Sequence, residues 1–299
     1  MADRNFDDIV DKFAKNIYGT TKGKIREAVV WQDLTHILDS QFKGKTLKIL
    51  DAGGGEGHFS RKLAAMGHQV ILCDLSEEML ERASELAKEQ GISDNIRFVH
   101  CAVQDISQHI NEPVDLVLFH AVLEWISDQK YAIEQLADII RPEGVFSVMF
   151  YNANGLVMRN AILGNFHLAT PHIQRRRKRS LSPQKPLFPQ QVDEWLRGCG
   201  MGILAKSGVR VFHDYLQSRQ LQQKDFPALL ALEQQYCREE PYLSMGRYIH
   251  VMARKQIQKD DLWVIFPRPS LNLCLGHEKM ILRFHSLLSV WHFCWRWQY

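Results

Sequence analysis

The sequence lacks several features that would place it in a specialised class of protein. It contains no run of about 18 uncharged apolar residues, so no transmembrane helix is expected. The residues from Met1 to Asp8 have no apolar core, so no secretory signal is expected and the cytoplasm is the expected location. The six cysteines form no C-x-x-C pair, which argues against a zinc site and favours buried, reduced thiols.

The chain also lacks an excess of charge of one sign. Its 37 Lys and Arg against 34 Asp and Glu leave a net charge of only +3, so a nucleic-acid partner cannot be argued from bulk charge. Apolar residues make up 45% and charged residues 24% of the 299, which excludes a disordered chain, a collagen and a coiled coil. This length accommodates one large domain or two modest ones.

Residues 256–299 differ in composition from the rest of the chain. They hold four of the seven tryptophans and carry five basic residues against three acidic ones. The segment is too polar to span a bilayer, but it could lie on a membrane surface or bind a partner. The alternative, favoured by the lack of helical or strand periodicity, is an appended extension without a selected role. We expect one domain over residues 1–255 and a poorly ordered extension after it.

A second irregular stretch, at about residues 153–190, carries a basic run. The run consists of Arg175, Arg176, Arg177, Lys178 and Arg179, and the interval 155–180 has six basic residues and no acidic one. We expect an insertion in the fold here, with a short helix at residues 156–163. The run either contacts RNA phosphates or forms a solvated charged loop.

Strand-like apolar runs alternate with helical patterns through most of the chain. Strands are predicted at residues 46–51, 69–74, 96–101, 114–120, 145–151, 203–212 and 248–253. Helices are predicted at residues 6–17, 24–40, 57–66, 77–89, 131–140, 191–199 and 226–238, with Ser76 as an N-cap. This alternation predicts an α/β fold with a mostly parallel sheet.

A glycine-rich loop follows the first predicted strand. A dinucleotide fingerprint would need glycine at 53, 55 and 58, but residue 58 is His58. Glycine lies instead at 53, 55 and 57, with Asp51 two residues ahead. The pattern D-x-G-x-G-x-G is typical of class I S-adenosylmethionine methyltransferases, in which the loop packs against the ribose and the methionine part of the cofactor.

Polar residues follow the next three predicted strands. Asp74 ends the second strand, where a carboxylate can accept both hydroxyls of a ribose. Asp105 follows the third strand and His120 ends the fourth. Because the carboxyl ends of parallel strands meet at one edge of the sheet, these residues predict a single ligand site. For Asp105 and His120 the alternatives are a helix-terminal acid and a packed core histidine.

Longer strings of sequence resemble one particular family. These strings are Arg4–Asp8, Asn16–Gly23, Asp51–Gly57, Val70–Ser76, Leu118–Trp125, Phe150–Asn152, Arg179–Pro183, Gly208–Tyr215 and Gly246–His250. On them the chain resembles the tRNA 5-carboxymethoxyuridine methyltransferases of enterobacteria and their relatives, over about residues 1–255. The resemblance implies a Rossmann-like class I methyltransferase with a seven-stranded sheet and helices on both faces. It says nothing about residues 256–299.

The resemblance also implies an activity and a set of cofactor contacts. The activity is methyl transfer from S-adenosylmethionine to the carboxylate of 5-carboxymethoxyuridine, at the wobble position of the tRNA anticodon loop, to give the methyl ester. Family positions that contact the cofactor match Arg26, Gly53, Gly54, Asp74, His120 and the turn 102–105. With the glycine-loop pattern, the predicted cofactor-binding residues are Arg26, Asp51, Gly53, Gly54, Gly55, Asp74, Leu75, Ala102, Val103, Gln104, Asp105 and His120. No metal is predicted.

The chemistry of a carboxylate acceptor requires little acid–base catalysis. A carboxyl group with a pKa of about 4 is already ionised at neutral pH, so no general base is needed. Correct alignment of the reacting groups can supply about 7–11 kcal/mol. No Ser-His-Asp or Cys-His nucleophile set is obvious in the sequence. Candidates for orienting the substrate carboxylate are Tyr18, Arg210, Tyr215, Arg247 and Tyr248.

Two other functions fit the same residues. A class I methyltransferase of a small acid would make the basic run incidental. A cofactor-holding RNA-binding protein without turnover would keep the glycine loop and the basic run alike.

Overall fold

The computed structural model describes residues 19–169 and 185–257. A seven-stranded sheet runs through them in the order β3-β2-β1-β4-β5-β7-β6. The strands are β1 (Lys48–Ala52), β2 (Gln69–Asp74), β3 (Ile96–His100), β4 (Val114–His120), β5 (Ile140–Tyr151), β6 (Met201–Val209) and β7 (Tyr248–Lys255). Strands β1 to β5 are parallel, and β7 is antiparallel to both β5 and β6. The predicted α/β class and mostly parallel sheet are confirmed.

Helices cover both faces of this sheet. Those of the described ranges are α1 (Thr21–Gln41), α2 (His58–Ala65), α3 (Glu77–Glu89), α4 (Gln129–Asp138), α5 (Ala153–Ile162), α6 (Pro189–Gly198), α7 (Arg219–Lys224), α8 (Phe226–Tyr236) and α9 (Tyr242–Met245). The predicted helix at residues 6–17, the basic run Arg175–Arg179 and residues 258–299 lie outside the described residues. The assignment of residues 1–255 to one domain therefore stays a prediction.

The core has two layers because alternate residues of the central strands point to opposite faces. Ile49 of β1 packs in one layer with apolar side chains of α1, α2 and α3. Its neighbour Leu50 packs in the other layer, with apolar side chains of α4 and α6. Both residues are fully buried. Near-continuous apolar runs are typical of strands covered on both faces, and they explain why β1 and β4 stand at the centre.

Several element boundaries agree closely with the predicted ones. Strands β2 and β4 and helix α3 have the predicted limits. Helix α3 begins after Ser76, whose Oγ accepts a hydrogen bond from the backbone N–H of Met79 at 3.2 Å. This cap satisfies one of the free N–H groups at the helix start.

Strand β5 differs from its prediction. The sequence predicts its start at residue 145, after a helix that ends at residue 140, but the strand begins at Ile140. The intervening residues, Arg141–Gly144, contain Pro and Gly and favour a turn. The extra residues pair irregularly with β4, where the register shifts between Val114 and Leu116. Glu143 has a left-handed φ of 64°. Its turn-forming sequence is therefore accommodated as an irregular start of the strand.

The four cysteines of the described ranges are all free thiols. Cys73 and Cys237 are buried, as expected, but Cys101 and Cys199 are only partly buried. Cys101 follows the last residue of β3, and Cys199 caps the end of α6. The expectation of buried thiols is wrong for these two because both lie at the ends of elements, where the core does not cover them.

The described ranges lack both a membrane-crossing helix and a metal-binding cluster. None of their helices is both long enough and apolar enough to cross a membrane. They also contain no group of three His, Cys, Asp or Glu side chains arranged to hold a metal ion.

Candidate cofactor and substrate site

The glycine-rich loop joins β1 to α2 at the carboxyl edge of the sheet. A Cβ at Gly54 would lie 2.3 Å from Leu72 Cδ1 and 2.6 Å from the Asp51 carboxylate, so the loop packs tightly on that side. Gly55, with a left-handed φ of 57°, has open space where its Cβ would be. The loop therefore leaves backbone accessible to a ligand at Gly55.

Asp74 ties this loop to the end of β2. Its Oδ2 accepts from the N–H of Gly55 at 2.8 Å, and its Oδ1 accepts from the N–H of Ser76 at 2.9 Å. Each carboxylate oxygen has a second lone pair, so the same group can accept ribose hydroxyls. Leu75, the next residue, is partly buried, and its carbonyl lies 3.1 Å from His100 Nε2.

Asp51 faces the interior rather than the open side of the loop. It is 4% exposed, and its Oδ2 accepts from Ser60 Oγ at 2.6 Å. Burial raises the pKa of Asp51 to about 6, against the opposing hydrogen bond from Ser60. In this position Asp51 supports the loop from below.

The predicted adenine-side residues form a turn after β3. The carbonyl of Ala102 accepts from the N–H of Asp105 at 3.0 Å. Val103 is buried, whereas Ala102 and Gln104 are partly buried and the Asp105 side chain is exposed. The turn lies beside the end of β2, because the N–H of Cys101 bonds to the carbonyl of Asp74 at 3.2 Å.

Arg26, His120 and Glu124 gather at the end of β4. Burial, with the nearby charge of Arg26, holds the pKa of His120 well below its usual value. Arg26 Nε and His120 Nδ1 are buried and have no hydrogen-bond partner among the described residues. Glu124 is 1% exposed, and neither of its carboxyl oxygens has such a partner. Burial raises the pKa of Glu124 to about 7, although the charge of Arg26 opposes the shift.

A cluster of cations lies next to these residues. Arg210 is 6% exposed, and its Nη2 lies 3.3 Å from Asp214 Oδ2. Arg247 Nε lies 3.4 Å from the same oxygen. Although burial opposes ionisation, Arg210, His213 and Arg247 hold the pKa of Asp214 well below its usual range. One carboxylate between two guanidinium groups leaves the cluster with a net positive charge.

Aromatic rings organise this cluster. The Tyr248 ring centroid lies 4.9 Å from the Arg26 guanidinium and 5.3 Å from that of Arg210. Arg247 lies 4.6 Å from the ring of Tyr151. The hydroxyl of Tyr215 donates to the carbonyl of Met245 at 2.5 Å, so its single proton already has an acceptor.

The structure thus brings Arg26, His120, Tyr248, Arg210 and Arg247 into one region at the edge that carries the glycine loop. Tyr18 and the run Arg175–Arg179 lie outside the described residues.

Known methyltransferases are similar to this chain in sequence. A family model described as a methyltransferase domain matches residues 49–144. The chain is 53% identical, over 262 residues, to a tRNA 5-carboxymethoxyuridine methyltransferase of Escherichia coli strain K12, covering 88% of this chain and 100% of that protein.

The chain belongs to the tRNA 5-carboxymethoxyuridine methyltransferase family.

More distant relatives share only part of the sequence or only the fold. A ubiquinone biosynthesis O-methyltransferase of Rhizobium rhizogenes is 31% identical over 180 residues, which is 60% of this chain and 68% of that protein. The crystal structure of magnesium protoporphyrin IX methyltransferase from Synechocystis, with bound S-adenosylhomocysteine, matches 84% of this chain and 96% of its own. Its TM-score is 0.56 at 16% identity, which shows a shared fold.

Two features of this family member were missed from the sequence. Glu124 lies within a string that resembles the family, but nothing in the string signals that both its oxygens are buried without partners. A Ser147–His250–Asp33 arrangement also exists, although no such set is obvious in the sequence. Ser147 and His250 are 103 residues apart, and His250 and Asp33 are 217 residues apart. Only the packing of α1 against β5 and β7 brings them together.

Proposed function

We propose that the chain transfers a methyl group from S-adenosylmethionine to the carboxylate of 5-carboxymethoxyuridine, at the wobble position of tRNA, giving the methyl ester. The observation that carries this proposal is the 53% identity to the E. coli enzyme over that enzyme's whole length. Cytoplasmic action on the tRNA anticodon loop is part of the same proposal.

The residues at the carboxyl edge of the sheet fit this cofactor. Asp74 offers a fixed carboxylate to the ribose hydroxyls, and Gly55 leaves backbone open beside it. Arg26 has a buried Nε–H without a partner among the described residues, which suits the methionine carboxylate. When bound, S-adenosylmethionine supplies a methyl group on a positively charged sulfur.

The cation cluster fits the substrate carboxylate. Arg210 Nε and Arg247 Nη1 are buried and lack partners among the described residues, while Asp214 occupies other atoms of both side chains. A planar guanidinium can bind a carboxylate through two parallel hydrogen bonds. Because Arg210 sits beside Tyr248, which also contacts Arg26, the two ligands would meet at this ring.

The roles left to the protein are binding, orientation and exclusion of water. The substrate carboxylate is ionised without help, so no proton has to be removed by a side chain. Tyr215 holds the backbone of Met245, next to the segment that carries Arg247. Its proton is not free to bind the substrate carboxylate, which leaves Arg210 and Arg247 as the better candidates.

The basic run Arg175–Arg179 is proposed to contact the tRNA backbone. Phosphate contacts position an RNA and make its affinity depend on salt. A wobble base belongs to a single-stranded loop, and such bases can be splayed into a pocket.

The proposal is tested with purified protein, S-adenosylmethionine and tRNA from a strain that lacks the corresponding activity. Nucleoside mass spectrometry should show conversion of 5-carboxymethoxyuridine to its methyl ester, and mild alkali should reverse the change. The Arg247→Lys variant should raise the KM for tRNA while retaining cofactor affinity. A methylated product that resists alkali, or no methylated product, would contradict the proposal.

A further inference from the structure

A continuous hydrogen-bonded chain of four polar side chains runs from α1 to the end of β4. Three of the four are buried, and His120 is partly buried. His120 Nε2 lies 2.8 Å from Ser147 Oγ, which lies 2.7 Å from His250 Nε2. His250 Nδ1 then lies 2.7 Å from Asp33 Oδ2. Ser147 and His250 are fully buried, and Asp33 is 5% exposed.

This chain has the residue types of a Ser-His-Asp triad but cannot act as one. A nucleophilic serine must reach a substrate. Ser147 is 0% exposed and its hydroxyl bonds to a histidine on each side. The hydrogen bonds along these four side chains can instead determine which ring nitrogen of His120 carries the proton.

The order of donors and acceptors follows from Asp33. Burial opposes ionisation of Asp33, but the hydrogen bond from His250 and the charge and hydrogen bond of Arg238 lower its pKa, so the carboxylate only accepts. His250 Nδ1 therefore carries a proton. Arg238 already balances the charge of Asp33, so the neutral form of His250 completes the arrangement, and in that form its Nε2 accepts from Ser147.

The remaining assignment concerns His120. Ser147 has one hydroxyl proton, which it donates to His250, so its oxygen accepts from the Nε2–H of His120. A neutral histidine has one ring proton, so Nδ1 of His120 presents a lone pair. That atom is buried without a partner among the described residues, next to Arg26, which has only donors.

We propose that Asp33, Ser147 and His250 are positioning residues for the cofactor. They hold His120 in the Nε2–H form, so that its Nδ1 accepts a hydrogen bond from the α-ammonium group of S-adenosylmethionine. The proposal rests on the proposed function only for the identity of this ligand. Arg26 would then donate to the carboxylate of the methionine part, and His120 would accept from its ammonium group.

The Asp33→Asn variant should reverse the direction of the hydrogen bonds between Asp33 and His120 without replacing a residue that contacts the cofactor. Arg238 can only donate, so the amide oxygen of the new side chain would face Arg238 and its NH₂ would face His250. His250 would then be protonated on Nε2 and donate to Ser147. Ser147 would donate to His120 Nε2, leaving the proton of His120 on Nδ1.

Two measurements follow the reversal. Nitrogen-15 NMR of labelled histidine in the cofactor-free protein, at mildly alkaline pH, reads the protonated ring nitrogen of His120, whose signal is assigned by its loss in His120→Asn. Titration calorimetry compares S-adenosylhomocysteine with 5′-S-(3-carboxypropyl)-5′-thioadenosine, which lacks the amino group. Asp33→Asn should move the His120 proton to Nδ1 and weaken S-adenosylhomocysteine binding about tenfold or more, the scale of a charged hydrogen bond.

The ligand without the amino group and two further variants separate a positioning role from a structural one. Affinity for the analogue without the amino group should change less than about twofold. Ser147→Ala, a smaller perturbation, should leave His120 with both ring forms populated and a reduced affinity for S-adenosylhomocysteine. Ser207→Ala is the matched control, since Ser207 bonds to Asp33 at 3.1 Å but stands outside the chain, and it should change neither reading.

Three outcomes would overturn the proposal. His120 could keep its proton on Nε2 in both Asp33→Asn and Ser147→Ala. S-adenosylhomocysteine affinity could stay unchanged although the proton moves. Both ligands could lose affinity equally, which would mean a merely structural role. Failure of the wild-type protein to bind S-adenosylhomocysteine would instead contradict the proposed function, while the NMR result would still decide the proton arrangement.

Discussion

The ring of Tyr248 lies against the guanidinium of Arg26, with 4.9 Å between the ring centroid and Cζ. The same ring lies 5.3 Å from the guanidinium of Arg210. Arg26 is the proposed partner of the cofactor and Arg210 that of the substrate. One aromatic side chain therefore contacts the cations proposed for both ligands.

Tyr248→Leu is expected to weaken both ligands together. Loss of the ring removes a cation–π contact worth up to about 2 kcal/mol when desolvated, from Arg26 and from Arg210. The Kd of S-adenosylhomocysteine and the KM for tRNA should both rise, measured by calorimetry and steady-state kinetics. Tyr248→Phe keeps the ring and should stay close to wild type. Loss of tRNA affinity alone in Tyr248→Leu would argue against a shared ring.

Asp74→Ala is expected to weaken cofactor binding at least about tenfold, since a hydrogen bond to a charged group contributes about 1.5–3 kcal/mol. The variant also frees the N–H of Gly55, which loosens the glycine loop. Titration calorimetry with S-adenosylhomocysteine measures the effect. Asp94→Ala, an exposed acid in the turn that follows α3, is the control and should bind normally. Equal affinities of the two variants for S-adenosylhomocysteine would show that Asp74 does not bind the cofactor.

Replacing Arg175–Arg179 with glutamine is expected to affect tRNA alone. Each lost phosphate contact should reduce the slope of log affinity against log salt by about 0.7–0.9. Filter binding at several salt concentrations measures this slope, and calorimetry should find cofactor affinity unchanged. Parallel loss of tRNA and cofactor binding would indicate that the two ligands do not use separate surfaces.

Glu124 makes stability depend on pH. Its pKa is raised from 4.5 to about 7 in the fold, mainly by burial. The stabilisation that goes with a protonated Glu124 is fully present below pH 4.5, and it is lost as the pH rises through about 7. The difference between these pKa values corresponds to about 3 kcal/mol.

Glu124→Gln should therefore stabilise the cofactor-free protein at about pH 8 relative to wild type, and much less at about pH 5. Urea unfolding at both pH values measures the difference in free energy of unfolding. Glu143→Gln, a partly exposed side chain, is the control and should show no such dependence. A difference between Glu124→Gln and wild type that stays constant with pH would show that Glu124 is ionised in the fold.

Much of the fold follows from local sequence. The apolar runs of β2 and β4, the cap at Ser76 and the glycines after β1 each depend on residues close in the chain, and their boundaries agree with prediction. Sequence patterns did not predict the elements whose limits depend on residues distant in the chain. Pairing with β4 extends β5 through residues that favour a turn. The short helices α7 and α9 show no helical periodicity of apolar residues from which they could be predicted.

The sequence by itself determined the α/β fold and the glycine loop with Asp74, because the spacing within one strand–loop–helix unit, and from it to the end of the next strand, is local. Only the tertiary structure decided what surrounds the buried charges. Arg26 meets Tyr248 across 222 positions of the chain, and His250 meets Asp33 across 217. Burial and hydrogen-bond partners are properties of that packing, and they set the pKa of Glu124 and the proton position proposed for His120.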